Sequence, residues 1–216
     1  MKSFVTEFVG TFFLVLTIGL TVIGNVPLAP LAIGLSLMCM VYMGGHVSGG
    51  HFNPAVTLAV FLRRKCTALD LPIYWIAQLA GAVAAAYMVQ LLTGQNLTVA
   101  PREGLEASHA IIVELLFTFA LALVVLQTAT HPKVANNSFY GLAIGMTVAF
   151  AAFAGGPISG GAFNPAVGVG PNLVRYLNGA ADGLNPIWIY VVGPLAGGVL
   201  AALVYRLQDP GREATG

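Results

Sequence analysis

The chain has 216 residues and a formal net charge of +1; 57% of its residues are hydrophobic, 8% are charged, and its mean hydropathy is +0.85. An ordinary soluble domain is about 25% charged, so too little charge remains here to cover a water-exposed surface, and the composition describes an integral membrane protein. The apolar content excludes disorder, and near-neutrality leaves no electrostatic footprint for nucleic acid.

A membrane-spanning helix needs about 20 mostly apolar residues, and the first predicted span covers residues 4–24. Lys2 ahead of an apolar run imitates a secretory leader, but Glu7 interrupts the run and no clean small-residue cleavage site follows. The second span, 28–45, leads into SGGHF (48–52), the motif Asn53-Pro54-Ala55 and a short apolar run over 53–64. The third span covers 71–93 and is followed by Asn96-Leu97-Thr98, a glycosylation acceptor pattern. The fourth, 108–130, carries Glu114, and the fifth covers 139–155. SGGAF (159–163), Asn164-Pro165-Ala166 and a second short run, 164–174, come next. A sixth span over 184–206 and a short tail, 208–216, end the chain.

Six spans put both termini on one side. That side carries Lys2, Arg63, Arg64, Lys65, Lys133, Arg206 and Arg212, the other only Arg102 and Arg175. The positive-inside rule therefore places the termini in the cytoplasm, and the plasma (inner) membrane is the expected location.

The chain repeats itself. Residues 31–64 and 142–175 align without a gap at an offset of 111, with 16 identities in 34 positions and a shared FNPAV string. Glu7, Thr11 and Phe12 match Glu114, Thr118 and Phe119 at offset 107, and AQLAGAVAAA (77–86) resembles GPLAGGVLAA (193–202). Repeat 1 is assigned to 1–95 and repeat 2 to 107–207 of a single channel domain. Each holds three spans, and an odd number makes the two halves insert with opposite topology about an axis in the membrane plane.

The two short runs cannot cross. Eleven or so residues at 1.5 Å rise give about 16 Å, roughly half the hydrocarbon thickness. Asn53 and Asn164 are placed as N-caps, and Pro54 and Pro165 fit the first helical position. Two half-helices entering from opposite sides bring their positive N-terminal ends together near the midplane. A cation meets a barrier there, whereas a neutral dipolar molecule does not. The asparagine carboxamides supply donors, and the backbone carbonyls of Gly49, Gly50, His51, Gly160, Gly161 and Ala162 are candidate acceptor ladders on either side.

The paired Asn-Pro-Ala motifs, HVSGGHFNPAV at 46–56 and a Glu at the start of each half resemble the aquaporin (major intrinsic protein) family over nearly the whole chain. The resemblance implies an all-α integral membrane fold: six transmembrane helices and two re-entrant half-helices in an inverted 3+3 repeat. It also implies a homotetramer with one pore per subunit, passive conduction of water or small uncharged solutes, and no enzymatic activity or cofactor. For Glu7 and Glu114, costly inside a span, it implies that they accept hydrogen bonds from loop backbone; a proton relay is the other reading.

The same resemblance locates an outer constriction, by distance from the asparagines, at Ile33, Ala152, Gly161 and Val167. Members usually carry an arginine where Val167 stands, with aromatic or histidine partners. An Asp seen after that Arg in glycerol facilitators is replaced by Gly168, and Gly170-Pro171 is similar to some plant vacuolar-membrane members. Loss of bulk and of strong donors widens the constriction and makes it apolar. The expected permeants are water, ammonia, hydrogen peroxide and urea, with glycerol a further candidate; without the arginine, proton leakage is a further expectation. The alternatives are a water-selective aquaporin, or a secondary transporter built on the same inverted repeat.

The remaining residues suggest packing or bracing. His51 is assigned a structural hydrogen bond, with pH gating as the other reading, and His46 is assigned as a loop brace. Gly141 with Gly145, and Gly193 with Gly197, form small-xxx-small pairs suited to close helix crossings. Cys39 and Cys66 show no metal or redox spacing.

Overall fold

A computed structural model describes residues 1–209, all of them helix or connection. Among the described residues, six helices are long and apolar enough to cross a membrane. In chain order the helices are α1 (Lys2–Ile23), α2 (Ala29–Ser48), the short α3 (Pro54–Leu62), α4 (Asp70–Thr93), α5 (Ala107–Ala129), α6 (Tyr140–Ser159), the short α7 (Pro165–Leu177) and α8 (Ile187–Gln208). Of the tail expected at 208–216, Gln208 belongs to α8, and residues 210–216 lie outside the described region.

The helix ends follow local chemistry. Gly49, Gly94 and Gly160 close α2, α4 and α6 in the left-handed conformation, with φ of 89°, 72° and 90°, where a Cβ would be strained. α6 runs to Ser159, four residues beyond the expected end; Pro157 falls in its last turn without stopping it, and Gly160 closes it. His46 lies inside α2 rather than in a loop, is exposed, and makes no side-chain hydrogen bond among the described residues. The loop-brace assignment for it is therefore wrong; helix α2 simply continues three residues past the predicted boundary to Ser48.

Each half packs its first span against its third, α1 on α4 and α5 on α8, while α2 against α6 joins the halves. Glycine makes these crossings close. A Cβ on Gly34 would sit 2.5 Å from the Gly145 carbonyl oxygen, and one on Gly145 would meet that of Gly34 in return. Gly197 on α8 lies against the Leu115 carbonyl of α5, as Gly81 on α4 lies against that of Phe8 in α1. Each expected small pair keeps one face: Gly193, like Gly197, faces α5, at Ile111 and Glu114, and Gly141, like Gly145, faces α2, where it makes room for the Tyr42 ring. α3 and α7 penetrate from opposite ends of this bundle, and their N-termini meet inside it.

Candidate functional site

The site is built where α3 and α7 begin. Asn53 and Asn164 are extended (φ −157° and −162°), and each Oδ1 accepts from the backbone N–H two residues on, Ala55 and Ala166, at 2.9 Å. Pro54 and Pro165 follow at the first helical position, where a missing N–H costs nothing. Each Asn Nδ2 then crosses to the other half: Asn53 donates to the Phe163 carbonyl at 2.9 Å and Asn164 to the Phe52 carbonyl at 2.8 Å. One N–H of each carboxamide remains, two donors side by side.

Phe52 and Phe163 are fully buried and sit at φ 49° and 48°, in the left-handed region that non-glycine residues avoid. Their rings fix them. A Cβ on Gly10 would collide with the Phe52 ring, and Phe163 packs on Phe117 with ring centroids 5.3 Å apart. Buried carboxylates complete the hold. Glu114 accepts from Ser159 Oγ (2.7 Å), Ala162 N (3.0 Å) and Phe163 N (2.6 Å). Glu7 accepts from Ser48 Oγ (2.7 Å), His51 N (3.0 Å) and Phe52 N (2.6 Å), and additionally from Gln78 Nε2 (2.8 Å). Both side chains are wholly enclosed with their oxygens occupied by fixed donors. Tyr74 and Tyr190 add a matching pair, each hydroxyl donating to the carbonyl of the loop serine, Ser48 at 2.8 Å and Ser159 at 2.6 Å.

The halves differ in one branch. Gln78 Nε2 also donates to Thr57 Oγ1 (3.0 Å), which donates to the Asn53 carbonyl (3.0 Å) and lies 3.2 Å from His51 Nδ1. The single hydroxyl proton of Thr57 is spent on that carbonyl, so Nδ1 is the donor and Nε2 is left as an acceptor. At the equivalent places the second half has Pro194, Gly168 and Ala162, and no such network.

A cavity of about 280 Å³ extends past these groups toward the end of the bundle away from the termini. Ile33, Ala152, Gly161 and Val167 all line it, as do both asparagines. So do Gly50, His51, Gly160 and Ala162 from the two loops. The rest of the wall is largely aliphatic, including Leu14, Leu121, Val125 and Val148. Gly49 lies outside it, on a second cavity of about 360 Å³ at the end of the bundle carrying the termini, with Lys65, Asp70 and Tyr74. His51 lines both and stands where they meet. Among the described residues there is no cluster of three metal-ligating side chains.

Sequence reasoning missed Gln78, Thr57 and the two tyrosines. A polar Gln in the middle of an apolar run, and tyrosines equivalent at an offset of 116, were the available signals. It also missed Asn172, which is completely buried on α7.

Residues 1–205 match the family model described as "Major intrinsic protein". The chain is 37% identical over 220 residues to a probable aquaporin TIP2-2 of Oryza sativa subsp. japonica, covering 95% of this chain and 86% of that protein. It is also 37% identical over 221 residues to a glycerol uptake facilitator protein-like 6 of Lactiplantibacillus plantarum, covering 96% and 98%. Among solved structures, the aquaglyceroporin from Plasmodium falciparum superposes with a TM-score of 0.86 over 97% of both chains at 22% identity, a likeness of fold.

Proposed function

The chain belongs to the major intrinsic protein family, a family of channels rather than enzymes, and from that premise we propose a passive pore of broad neutral-solute range with an apolar outer constriction. Conduction of water or small neutral solutes across the membrane follows at the level of the family. The range is carried by one observation: the positions assigned to the constriction, Ile33, Ala152, Gly161 and Val167, line one cavity and bring no charge and no side-chain hydrogen-bond donor to it. Loop carbonyls supply acceptors at one wall. A solute with several N–H or O–H donors gains most from such a wall, which selects ammonia, hydrogen peroxide and urea beside water; glycerol, larger, is the limiting case.

Exclusion of ions rests on the two half-helix N-termini and on the cost of stripping hydration. With Asn53 and Asn164 neutral, the carboxylates of Glu7 and Glu114 are turned to backbone donors, and His51 is the ionisable side chain that faces the cavity. The roles of Glu7 and Glu114 are loop bracing, supported by their seven hydrogen bonds. The proposed assembly is a homotetramer with one pore per chain, its termini cytoplasmic as the basic-residue count supports, in a plasma (inner) membrane.

The test is stopped-flow light scattering on proteoliposomes, comparing water and urea for the wild type and Val167→Arg. Fast urea entry that the variant suppresses at least tenfold, with water flux reduced far less, supports the wide constriction. Fast water flux without urea entry in the wild type means a water-selective pore instead.

A further inference from the structure

The Asn96-Leu97-Thr98 pattern acquires a different meaning in three dimensions. It lies on the connection between α4 and α5, at the end of the bundle away from the termini. Residues 97–99 alternate: Leu97 and Val99 are 3% and 4% exposed in the core, while Thr98 between them is exposed and lines the main cavity. Asn96 is tied to the protein instead, its Oδ1 accepting from Asn178 Nδ2 at 2.8 Å.

The segment is anchored rather than loose. Asn172 Nδ2 donates to the Val99 carbonyl at 2.7 Å, and its Oδ1 accepts from Val99 N at 3.4 Å. The same Nδ2 donates to the Gly168 carbonyl at 2.9 Å, in the turn that carries Val167. Arg102 N donates to the Ile158 carbonyl at 3.0 Å, and the Ala100 carbonyl sits against Gly160, where a Cβ would be 2.6 Å away. Strap and constriction are thus held as one piece.

Among the residues lining the main cavity, the polar side chains are His51, Asn53, Asn164 and Thr98. The first three belong to the half-helix junction. Thr98 alone stands beyond it toward the outer opening, and its hydroxyl makes no hydrogen bond within the described residues.

We propose that Thr98 Oγ1 is the specificity-determining polar contact of the outer half of the pore, positioned by Asn172. This rests on the cavity being the solute path. Loop carbonyls accept from a solute's N–H groups, and in the apolar outer half Thr98 is the lining side chain that can donate to a solute's oxygen. Water in file keeps its neighbours as donors. Urea fills the cross-section, so its carbonyl depends on the wall.

The experiment measures the urea-to-water permeability ratio in proteoliposomes for wild type, Thr98→Val and Thr98→Ser, produced in a host without N-glycosylation. Valine is isosteric and removes only the hydroxyl, and loss of one net hydrogen bond predicts a fall in the ratio of about two- to tenfold. Serine keeps the hydroxyl and holds the ratio within twofold of wild type. A purely structural role for the strap would change the flux of both solutes together and leave the ratio alone. Urea-conducting wild type with an unchanged ratio in Thr98→Val overturns the assignment and leaves the channel reading standing. No urea flux through the wild type overturns the broad-pore reading and this assignment with it.

Discussion

Replacing Glu114 by Gln removes one oxygen and little volume, and the hydrogen-bond list of the second loop sets the outcome. The carboxylate holds three donors, Ser159 Oγ, Ala162 N and Phe163 N. An amide keeps one oxygen, which continues to accept from Ser159 and Ala162 without charge assistance, at a loss of about 1 kcal/mol each. Its NH2 then faces the Phe163 N–H, 2.6 Å from the present oxygen, and a buried donor left unpaired costs about 1–3 kcal/mol. The total is about 3–5 kcal/mol. Phe163, already at φ 48°, loses the bond that pins it, and its carbonyl moves away from Asn53 Nδ2. Glu7→Gln is milder by roughly one bond, about 1 kcal/mol, because Gln78 can turn its unpartnered Oε1 toward the new amide, whereas Pro194 offers nothing at the matching place. Thermal unfolding in detergent, followed by intrinsic fluorescence, checks this: Tm falls by roughly 6–20 °C for Glu114→Gln and by less for Glu7→Gln, with water flux lost in the same order. An unchanged Tm for Glu114→Gln, or a larger fall for Glu7→Gln, refutes the reasoning.

Gly145→Ala forces a methyl against the Gly34 carbonyl and lowers stability by about 1–3 kcal/mol; Gly156→Ala, with nothing within 4 Å of its new Cβ, is neutral or stabilising in the same unfolding assay. The Cys66 thiol, in the connection before α4, is pushed up to about 11 by burial and by the nearby charges of Asp70 and Glu7. In a Cys39→Ser background its alkylation by iodoacetamide therefore rises about tenfold per pH unit from pH 7 to 10, without the plateau that an ordinary thiol near 8.5 shows. A plateau below pH 9 contradicts that environment.

The parts of the fold legible in the sequence were those written twice. Two copies of FNPAV at a fixed offset located both half-helices and their caps, and the paired glutamates pointed to buried acceptors. Helix ends were legible only where glycine or proline marks them. The predicted fifth span stops four residues short, at 155: a proline in the last turn, Pro157, interrupts little, and Gly160 is the residue that ends α6. Features held by one half alone stayed hidden. Gln78, Thr57 and Asn172 make long-range bonds whose partners are 21 to 73 residues away, and no local pattern announces them. Thr98 looked like part of a glycosylation signal because sequence shows adjacency, while the alternation of buried and exposed positions along the strap decides which way it turns.

The crossed bonds from Asn53 to Phe163 and from Asn164 to Phe52 carry a consequence for biosynthesis. The first clasp lacks a member until residue 163 of 216 has been made, and the second until residue 164. A ribosome-bound chain holding only the first repeat can insert its spans, yet Asn53 Nδ2 has no Phe163 carbonyl to take and the Phe52 carbonyl no donor from Asn164. The permeation path is therefore completed after translation of its last quarter has begun, and a nascent or truncated chain does not perforate the membrane that receives it. Two halves made as separate polypeptides should restore conduction only when they are synthesised into the same bilayer.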